Sequence, residues 1–589
     1  MNGPRPPGRR RRATCPRSCR GGCNHEPIAE LHPETLTGPE RDGRPGADEL
    51  PSRSRRRWRW RRAAAGPSGT DARPGDEPGG RRARRGRVAG PATAGGLLVA
   101  ASVPPWGFWI LAVPGFGLLT WRLGGLGRRG RAAAGAGFGL GLFVPTLFWM
   151  TEFHAVGYAA AALCESAFLV AMAMAVPPAR VALALPGALV LAEAARDAWP
   201  FGGVPLGGPA LGQAAGPLAP AACLGGALLV AGLAAAAGAA AATVAAALAR
   251  RGRRAGALLA AAGALAVVVI TPLAGRAAAP SASAGDGTPL RVALVQGGGE
   301  RGLRAVDTDP GAVFDRQVAQ TATVDGPVDL VLWPENTVDV PRLDGSVEEA
   351  ELAATARRLG ATVVAGITED VGPEHFDNVA VAWSPAGRIT GRYTKVHRVP
   401  FGEYVPGRAL IEKLADLSVL PRDAVAGHGT GALDTAAGRV GVTISYEVFF
   451  ASRARSAIRH GGRVLLVPTN AASFRTSQVP TQEVAAARLR AWETGRWVLQ
   501  AAPTGYSAVV DPRGRVLARS RLGAARVLHT EARLLSDRTP YVRAGDGPVL
   551  AAALLTLAGA HALARRAARR AAPAGPRSRG GEAARTMPS

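Results

Sequence analysis

Long apolar runs fill one half of the chain and short alternating ones the other. Between residues 88 and 275 the pattern is Ala, Leu, Val and Gly broken by brief polar stretches, and one more such run follows near residue 550. The segments 88–103, 107–121, 133–151, 155–177, 180–197, 217–248, 256–274 and 547–565 approach the roughly 20 residues a helix needs to cross a bilayer. From Leu290 the pattern changes. Strands are expected at 290–296 (LRVALVQ), 329–333 (DLVLW), 361–366 (ATVVAG), 378–384, 438–445 and 463–468 (RVLLVP). Helical spacing recurs at 346–359 and 480–496. Strands alternating with helices predict a layered α/β sandwich. The expected fold is therefore a multi-pass α-helical membrane bundle of about eight spans with an inserted α/β domain. The expected parts are a basic extension at 1–87, the bundle at 88–275, a linker at 276–288, the α/β domain at 289–537, a last span at 547–566 and a basic tail at 567–589.

Charge orients the spans. Arg122, Arg128, Arg129 and Arg131 follow the second segment, Arg250, Arg251, Arg253 and Arg254 the sixth, and Arg565, Arg566, Arg569 and Arg570 the eighth. The loops between, such as Pro104-Pro105-Trp106 and Thr151-Glu152-Phe153-His154, carry no arginine. Cytoplasmic loops collect Lys and Arg, so both termini are expected in the cytoplasm of a plasma-membrane protein, with residues 276–546 extracytoplasmic. The formal charge of +27 would suggest nucleic acid, but the excess sits in the tails and short loops. The run Arg55-Arg56-Arg57-Trp58-Arg59-Trp60-Arg61-Arg62 interleaves aromatics with cations, and its Pro, Gly and Arg surroundings favour a solvated, disordered extension over an RNA or anionic-lipid site. No nucleic-acid partner is expected. No apolar stretch follows the first arginines, so no cleavable signal is expected at Met1. Cys15, Cys19 and Cys23 with Asn24-His25 match no standard zinc spacing, and no cysteine follows Cys223. The α/β part thus has neither a disulfide nor a thiol nucleophile.

Three polar segments carry the candidate chemistry. Leu332-Trp333-Pro334-Glu335-Asn336 puts a carboxylate just past a strand. Tyr393-Thr394-Lys395-Val396-His397 runs on to Phe401-Gly402-Glu403-Tyr404-Val405-Pro406, and Ile444-Ser445-Tyr446-Glu447 closes a third strand. A carboxylate, an amine and a nucleophile on separate strand ends suit acyl transfer: the carboxylate takes a proton and the amine stabilises the oxyanion. Lys395 stands out because Lys plus Arg total 71 and only Lys395 and Lys413 are lysines. An ammonium is a compact point charge that a guanidinium does not replace.

In this order, after seven apolar segments, these motifs make the chain resemble the apolipoprotein N-acyltransferase family, a membrane bundle carrying a nitrilase-like (carbon–nitrogen hydrolase) domain. The resemblance rests on Trp333-Pro334-Glu335, on Lys395 with Val399-Pro400-Phe401-Gly402-Glu403-Tyr404-Val405-Pro406, and on Tyr446-Glu447. Glu193 near Arg196, Phe201-Gly202, Gly207, Gln213, Thr539-Pro540-Tyr541 and Gly545-Asp546 also match, so it covers about 88 to 566. It implies an αββα sandwich and a ping-pong transfer from a phospholipid donor to the α-amine of a diacylglyceryl-cysteine at a lipoprotein N-terminus. It implies no cofactor and no metal. By position Glu335 is the general base, Lys395 the oxyanion stabiliser, Ser445 the nucleophile, and Glu403, Tyr446 and Glu447 their support.

The family's nucleophile is a cysteine, and here it is Ser445. A hydroxyl is far harder to deprotonate than a thiol, and the amine would have to expel an alkoxide from a serine ester. Asn470-Ala471-Ala472-Ser473-Phe474 also lacks the Asp and Trp expected there. Three readings remain: a serine-using acyltransferase, a catalytically impaired relative that binds lipoproteins or assists an active paralogue, and a serine hydrolase or amidase on the same frame.

Overall fold

The structure, a computed structural model, describes residues 78–152, 154–249, 255–280, 287–299, 309–413, 417–418, 420–471 and 478–571. The extension with its three cysteines and Arg55–Arg62 run, the Arg250–Arg254 loop, most of the linker, Ala472–Phe474 and the tail beyond 571 lie outside the described residues.

Each apolar segment lies on a helix. They are α1 (Pro78–Ser102), α2 (Ala112–Leu123, after a 3-10 turn at Trp109–Leu111), α3 (Arg128–Thr146), α4 (Ala155–Ala175), α5 (Val181–Arg196), α7 (Ala222–Ala249) and α8 (Ala255–Ala278), with the short α6 (Pro209–Gly212) before α7. The last is α15 (Gly547–Ala571). By length and composition, four stretches are apolar enough to cross a membrane: Ala155–Ala175, Ala219–Ala249, Ala255–Ala278 and Gly547–Ala571. Small residues let the helices approach closely: a Cβ on Gly96 of α1 would stand 2.1 Å from the Phe138 carbonyl of α3. Arg128, Arg129 and Arg131 were expected in a loop, yet they form the first turn of α3. The Arg131 guanidinium reaches the neighbouring chain end after α4, donating to the carbonyls of Met174 and Val176. Helix α7 breaks at Gly225 and Gly226, where Gly226 takes φ 68°. A Cβ there would meet the Tyr541 ring at 2.6 Å, so the break makes room for α14 (Pro540–Ala544).

The α/β part contains two sheets. In the first, β14 (Arg526–Leu534), β1 (Thr288–Gln296), β2 (Leu330–Leu332), β4 (Thr362–Val371), β5 (His375–Trp383) and β6 (Ile389–Thr394) lie in that order. The short β3 (Val338–Val340) pairs with β4, and β7 (Asp423–Ala424) with β5. The second sheet runs β13 (Val516–Arg519), β12 (Ala508–Val510), β11 (Val498–Ala501), β10 (Leu465–Pro468), β9 (Gly438–Val442) and β8 (Ala432–Thr435). Leu290, Val292, Leu332 and Val364 of the first sheet share a core with Val440, Val442, Leu466 and Leu499 of the second. Helices α9 (Pro310–Ala322) and α10 (Val347–Leu359) cover the outer face of the first sheet. Helices α12 (Ala451–Arg459) and α13 (Gln478–Thr494) cover the second, and the single turn α11 (Arg408–Ile411) lies in the loop after β6. Helix, sheet, sheet, helix is the sandwich expected from the sequence.

Helix α13 is buried nearly all round because its outer side meets the apolar helices: Ala485, Ala486 and Leu489 share one core with Leu211, Ala214 and Val230. Polar groups in such a place need partners. The Gln478 amide accepts from Trp149 N at 3.0 Å and donates to Pro145 O at 2.8 Å. Gln482 accepts from Gly207 N at 3.0 Å and donates to Thr146 O at 3.2 Å. Glu493 accepts from Ala227 N at 2.8 Å, beside the break in α7. The helix thus pairs backbone groups left open at the ends of bundle helices, which fixes the α/β domain on the bundle.

Candidate active site

The expected strand 438–445 ends at Val442, and Ser445 opens a 3-10 helix, Ser445–Phe449. Ser445 takes φ 48°, a left-handed conformation a serine adopts only under constraint. Asn336 (φ 53°) follows Glu335, and Phe401 (φ 59°) lies two residues before Glu403. Strained backbone therefore recurs at all three candidate segments. The turn at Glu335 also needs Gly366 on β4, where a Cβ would stand 2.4 Å from the Glu335 Cα.

Lys395 is buried and donates to Glu335 Oε1 at 2.8 Å and to Glu403 Oε1 at 2.7 Å. Asn378 of β5, which sequence reasoning missed, donates Nδ2 to the same two oxygens at 2.9 and 2.8 Å. The second Glu403 oxygen accepts from Val399 N at 2.8 Å. Burial alone would lower the lysine's pKa, but Glu335 and Glu403 outweigh it and hold it above its ordinary value. The ammonium is charged at neutral pH, and two of its three hydrogens go to the carboxylates of Glu335 and Glu403. The neighbouring His397 is held neutral: burial first and Arg453 second push it down to about 4.

Glu447 makes no contact with Lys395 itself. Its oxygens accept from Tyr393 OH at 2.9 Å, from the backbone of Val396, His397 and Ile444 at 2.9, 3.1 and 2.9 Å, and face Arg453 at 3.5 Å. It clamps the Lys395 loop to the strand end that carries Ser445. Glu447→Gln would turn donors towards donors, and we expect a stability loss of about 3 kcal/mol and a fall in activity without a change in donor preference. A melting temperature equal to that of the wild type would exclude the clamp.

Tyr446 points away from the lysine, donating its hydroxyl to Gly203 O at 2.8 Å in the loop after α5. Tyr404 reaches Phe201 O at 3.3 Å, and the Phe201 and Phe401 rings meet edge to face at 5.8 Å. Arg196 shapes that loop from within the bundle. It pairs with Glu193 at 2.9 Å and with Glu165, and donates to Val204 O and Leu206 O at 3.0 and 2.9 Å. Gln213 holds Trp109 O at 2.9 Å.

Ser445 Oγ lies 3.2 Å from Thr469 Oγ1, which donates to Glu483 Oε1 of α13 at 2.7 Å. Burial pushes Glu483 up to about 8; Glu335 adds to this, while Thr469, Lys395 and Ser445 pull the other way. Thr469 thus links Ser445 to Glu483. The folded state holds its proton more tightly than the unfolded chain does. This contribution is present below the ordinary carboxyl range and is lost as pH rises to about 8. Within an alanine-rich helical pattern, the adjacent polar pair Gln482-Glu483 was the only sequence sign of it.

The arrangement sets a serine hydroxyl, a charged ammonium and buried carboxylates on the part of the domain that meets the apolar helical bundle. Residues 95–240 match the apolipoprotein N-acyltransferase N-terminal domain and residues 291–534 the carbon-nitrogen hydrolase family. The apolipoprotein N-acyltransferase of Mycolicibacterium smegmatis is 32% identical over 507 residues, covering 79% of this chain and 82% of its own. That of Azotobacter vinelandii is 32% identical over 508 residues, 82% of this chain and 96% of its own. Among solved structures, a nitrilase-superfamily protein of Saccharomyces cerevisiae is 24% identical, covering 43% of this chain and 93% of its own with a TM-score of 0.33. Both halves match in one chain, and full-length relatives align across them: the chain belongs to the apolipoprotein N-acyltransferase family.

Proposed function

We propose that this protein moves an acyl chain from a membrane phospholipid to the α-amine of the diacylglyceryl-cysteine at a lipoprotein N-terminus, with Ser445 as the nucleophile. In the first step Ser445 Oγ attacks the ester carbonyl, Lys395 stabilises the oxyanion and lysophospholipid leaves. In the second the amine attacks the seryl ester and the amide departs. Glu335 and Glu403 hold the ammonium in place. The observation that carries this reading is the buried Glu335–Lys395–Glu403 cluster, tied through Glu447 to the turn that carries Ser445. Acyl chains held among the apolar helices would bring their ester to Ser445 past Phe201 and Phe401, both exposed.

The bundle would span the plasma membrane about eight times, with both termini cytoplasmic and residues 276–546 outside. Single cysteines introduced at exposed Asp344 and at Arg565 test this in intact cells: an impermeant maleimide should label the first and not the second, and the reverse pattern would sink the topology.

The activity is tested by mass spectrometry of the purified full-length protein with phospholipid and a diacylglyceryl lipopeptide. An acyl adduct on Ser445 and an N-acylated peptide are expected. Free fatty acid without peptide product would identify a hydrolase, and no adduct at all would leave a lipoprotein-binding relative.

A further inference from the structure

We propose that Thr469 and Glu483 form a proton relay that activates Ser445, so that the proton lost by the nucleophile comes to rest on Glu483. The inference builds on the reading of Ser445 as the nucleophile.

Hydrogen counting sets its direction. Thr469 has one hydroxyl hydrogen, and an ionised Glu483 can only accept, so that hydrogen goes to Glu483 Oε1 at 2.7 Å. Thr469 Oγ1 is then the acceptor at 3.2 Å for the hydrogen of Ser445. Glu335 already holds Lys395 and Asn378 through its Oε1. Among the described residues Glu483 makes no ion pair and its buried Oε2 has no hydrogen-bond partner. The charged groups facing it are Glu335 from the turn after β2 and Lys395 from the loop after β6. A buried carboxylate without a cation bound to it is the stronger base, and a proton acceptor works best when its pKa lies near the working pH. Burial pushes Glu483 up to about 8, which suits a nucleophile as weakly acidic as serine.

The step balances. As the bond from Ser445 Oγ to the acyl carbon forms, its proton passes to Thr469 Oγ1 and the Thr469 proton passes to Glu483. The carbonyl electron pair moves onto oxygen beside Lys395. When the bond to the glycerol oxygen breaks, the departing oxygen takes the proton back along the same chain. In the second step the neutral amine's proton enters the relay and returns to Ser445 Oγ as the seryl ester breaks.

The test separates activation from transfer. The full-length protein in detergent is treated with an alkyl fluorophosphonate from about pH 6 to about pH 10, and labelling of Ser445 is followed by intact mass. The labelling rate should climb with pH through about 8. Glu483→Gln and Thr469→Val should each slow it by about a hundred-fold or more and flatten the profile, while Thr469→Ser recovers most of the loss. Melting temperatures of the variants monitor folding. The relay is overturned if Glu483→Gln labels within about threefold of wild type, if it slows labelling equally at every pH with the profile unchanged, or if wild-type Ser445 is not labelled. Glu483-dependent labelling with no acylated lipopeptide would leave the relay standing and overturn the transferase reading instead.

Discussion

Lys395→Met is expected to abolish acyl transfer and to destabilise the fold at neutral pH. The ammonium is the cation that both Glu335 and Glu403 contact, at 2.8 and 2.7 Å, in a site from which water is excluded. Its loss would remove the proposed oxyanion donor, worth about 10²–10³ in rate by itself. It also leaves two carboxylates facing one another in the interior, at a cost of about 3–5 kcal/mol. Together these effects should lower the transfer rate by at least about a thousand-fold. Two further readings follow from the same charges. In the wild type the lysine's pKa is raised, so its stabilising contribution is complete below about 10.5 and is lost only as pH climbs above that. In the variant the unpaired carboxylates must take up protons, so the gap in melting temperature between variant and wild type should narrow on acidification. Lys395→Arg should fail to recover transfer, because a planar fork does not replace a point charge in a site built around two short contacts. Transfer within about tenfold of wild type in the methionine variant would exclude the oxyanion role.

Ser445→Cys is expected to raise the rate of lipopeptide acylation on the order of a hundred-fold, and Ser445→Ala to remove it. The sulfur is nearly isosteric with the oxygen, so the left-handed turn at φ 48° and the contact with Thr469 can persist. A thiol ionises near about 8.5, far more readily than a hydroxyl, which speeds the first step. A thioester gives the attacking amine a better leaving group, which speeds the second. The ratio of the two steps gives a sharper check: the serine protein should accumulate acyl-enzyme when the lipopeptide is present, and the cysteine variant should not. If the wild type forms no product while the cysteine variant does, the frame is intact and only its nucleophile is lacking. If the cysteine variant is slower than the serine protein, the site is adapted to a hydroxyl.

Much of the architecture was legible in the sequence because hydropathy and periodicity are local. Each of the eight apolar segments lies on a helix, and the six strands expected from alternating or continuous apolar runs all exist. The misses have physical causes. Strand β12 is only three residues long, and β13 at the sheet edge alternates half-buried and exposed. The strand carrying Ser445 ends three residues early because the chain must turn sharply to present the side chain, and nothing in Val-Thr-Ile-Ser forbids one more pair of ladder bonds. Arg131 was read as a loop residue because its carbonyl partners lie on another helix.

The candidate site divides in the same way. Glu335, Lys395, Glu403, Ser445, Tyr446 and Glu447 sit in turns with a recognisable residue order, so the sequence alone singled them out. It could not tell that Glu447 braces two loops while Tyr446 reaches into the bundle. Nor could it show that Asn378, Thr469 and Glu483 belong with them, since each lies on a different element and 24 residues separate even Thr469 from Ser445. By itself the sequence determined the apolar segments, the layered α/β domain, the inventory of charged groups and the absence of a thiol after Cys223, all properties of composition and short-range order. Only the tertiary structure decided which carboxylate meets the ammonium and which is left without one. Burial and distance set a carboxylate's affinity for a proton, and both arise when strands and helices far apart in the chain close around the same few ångströms.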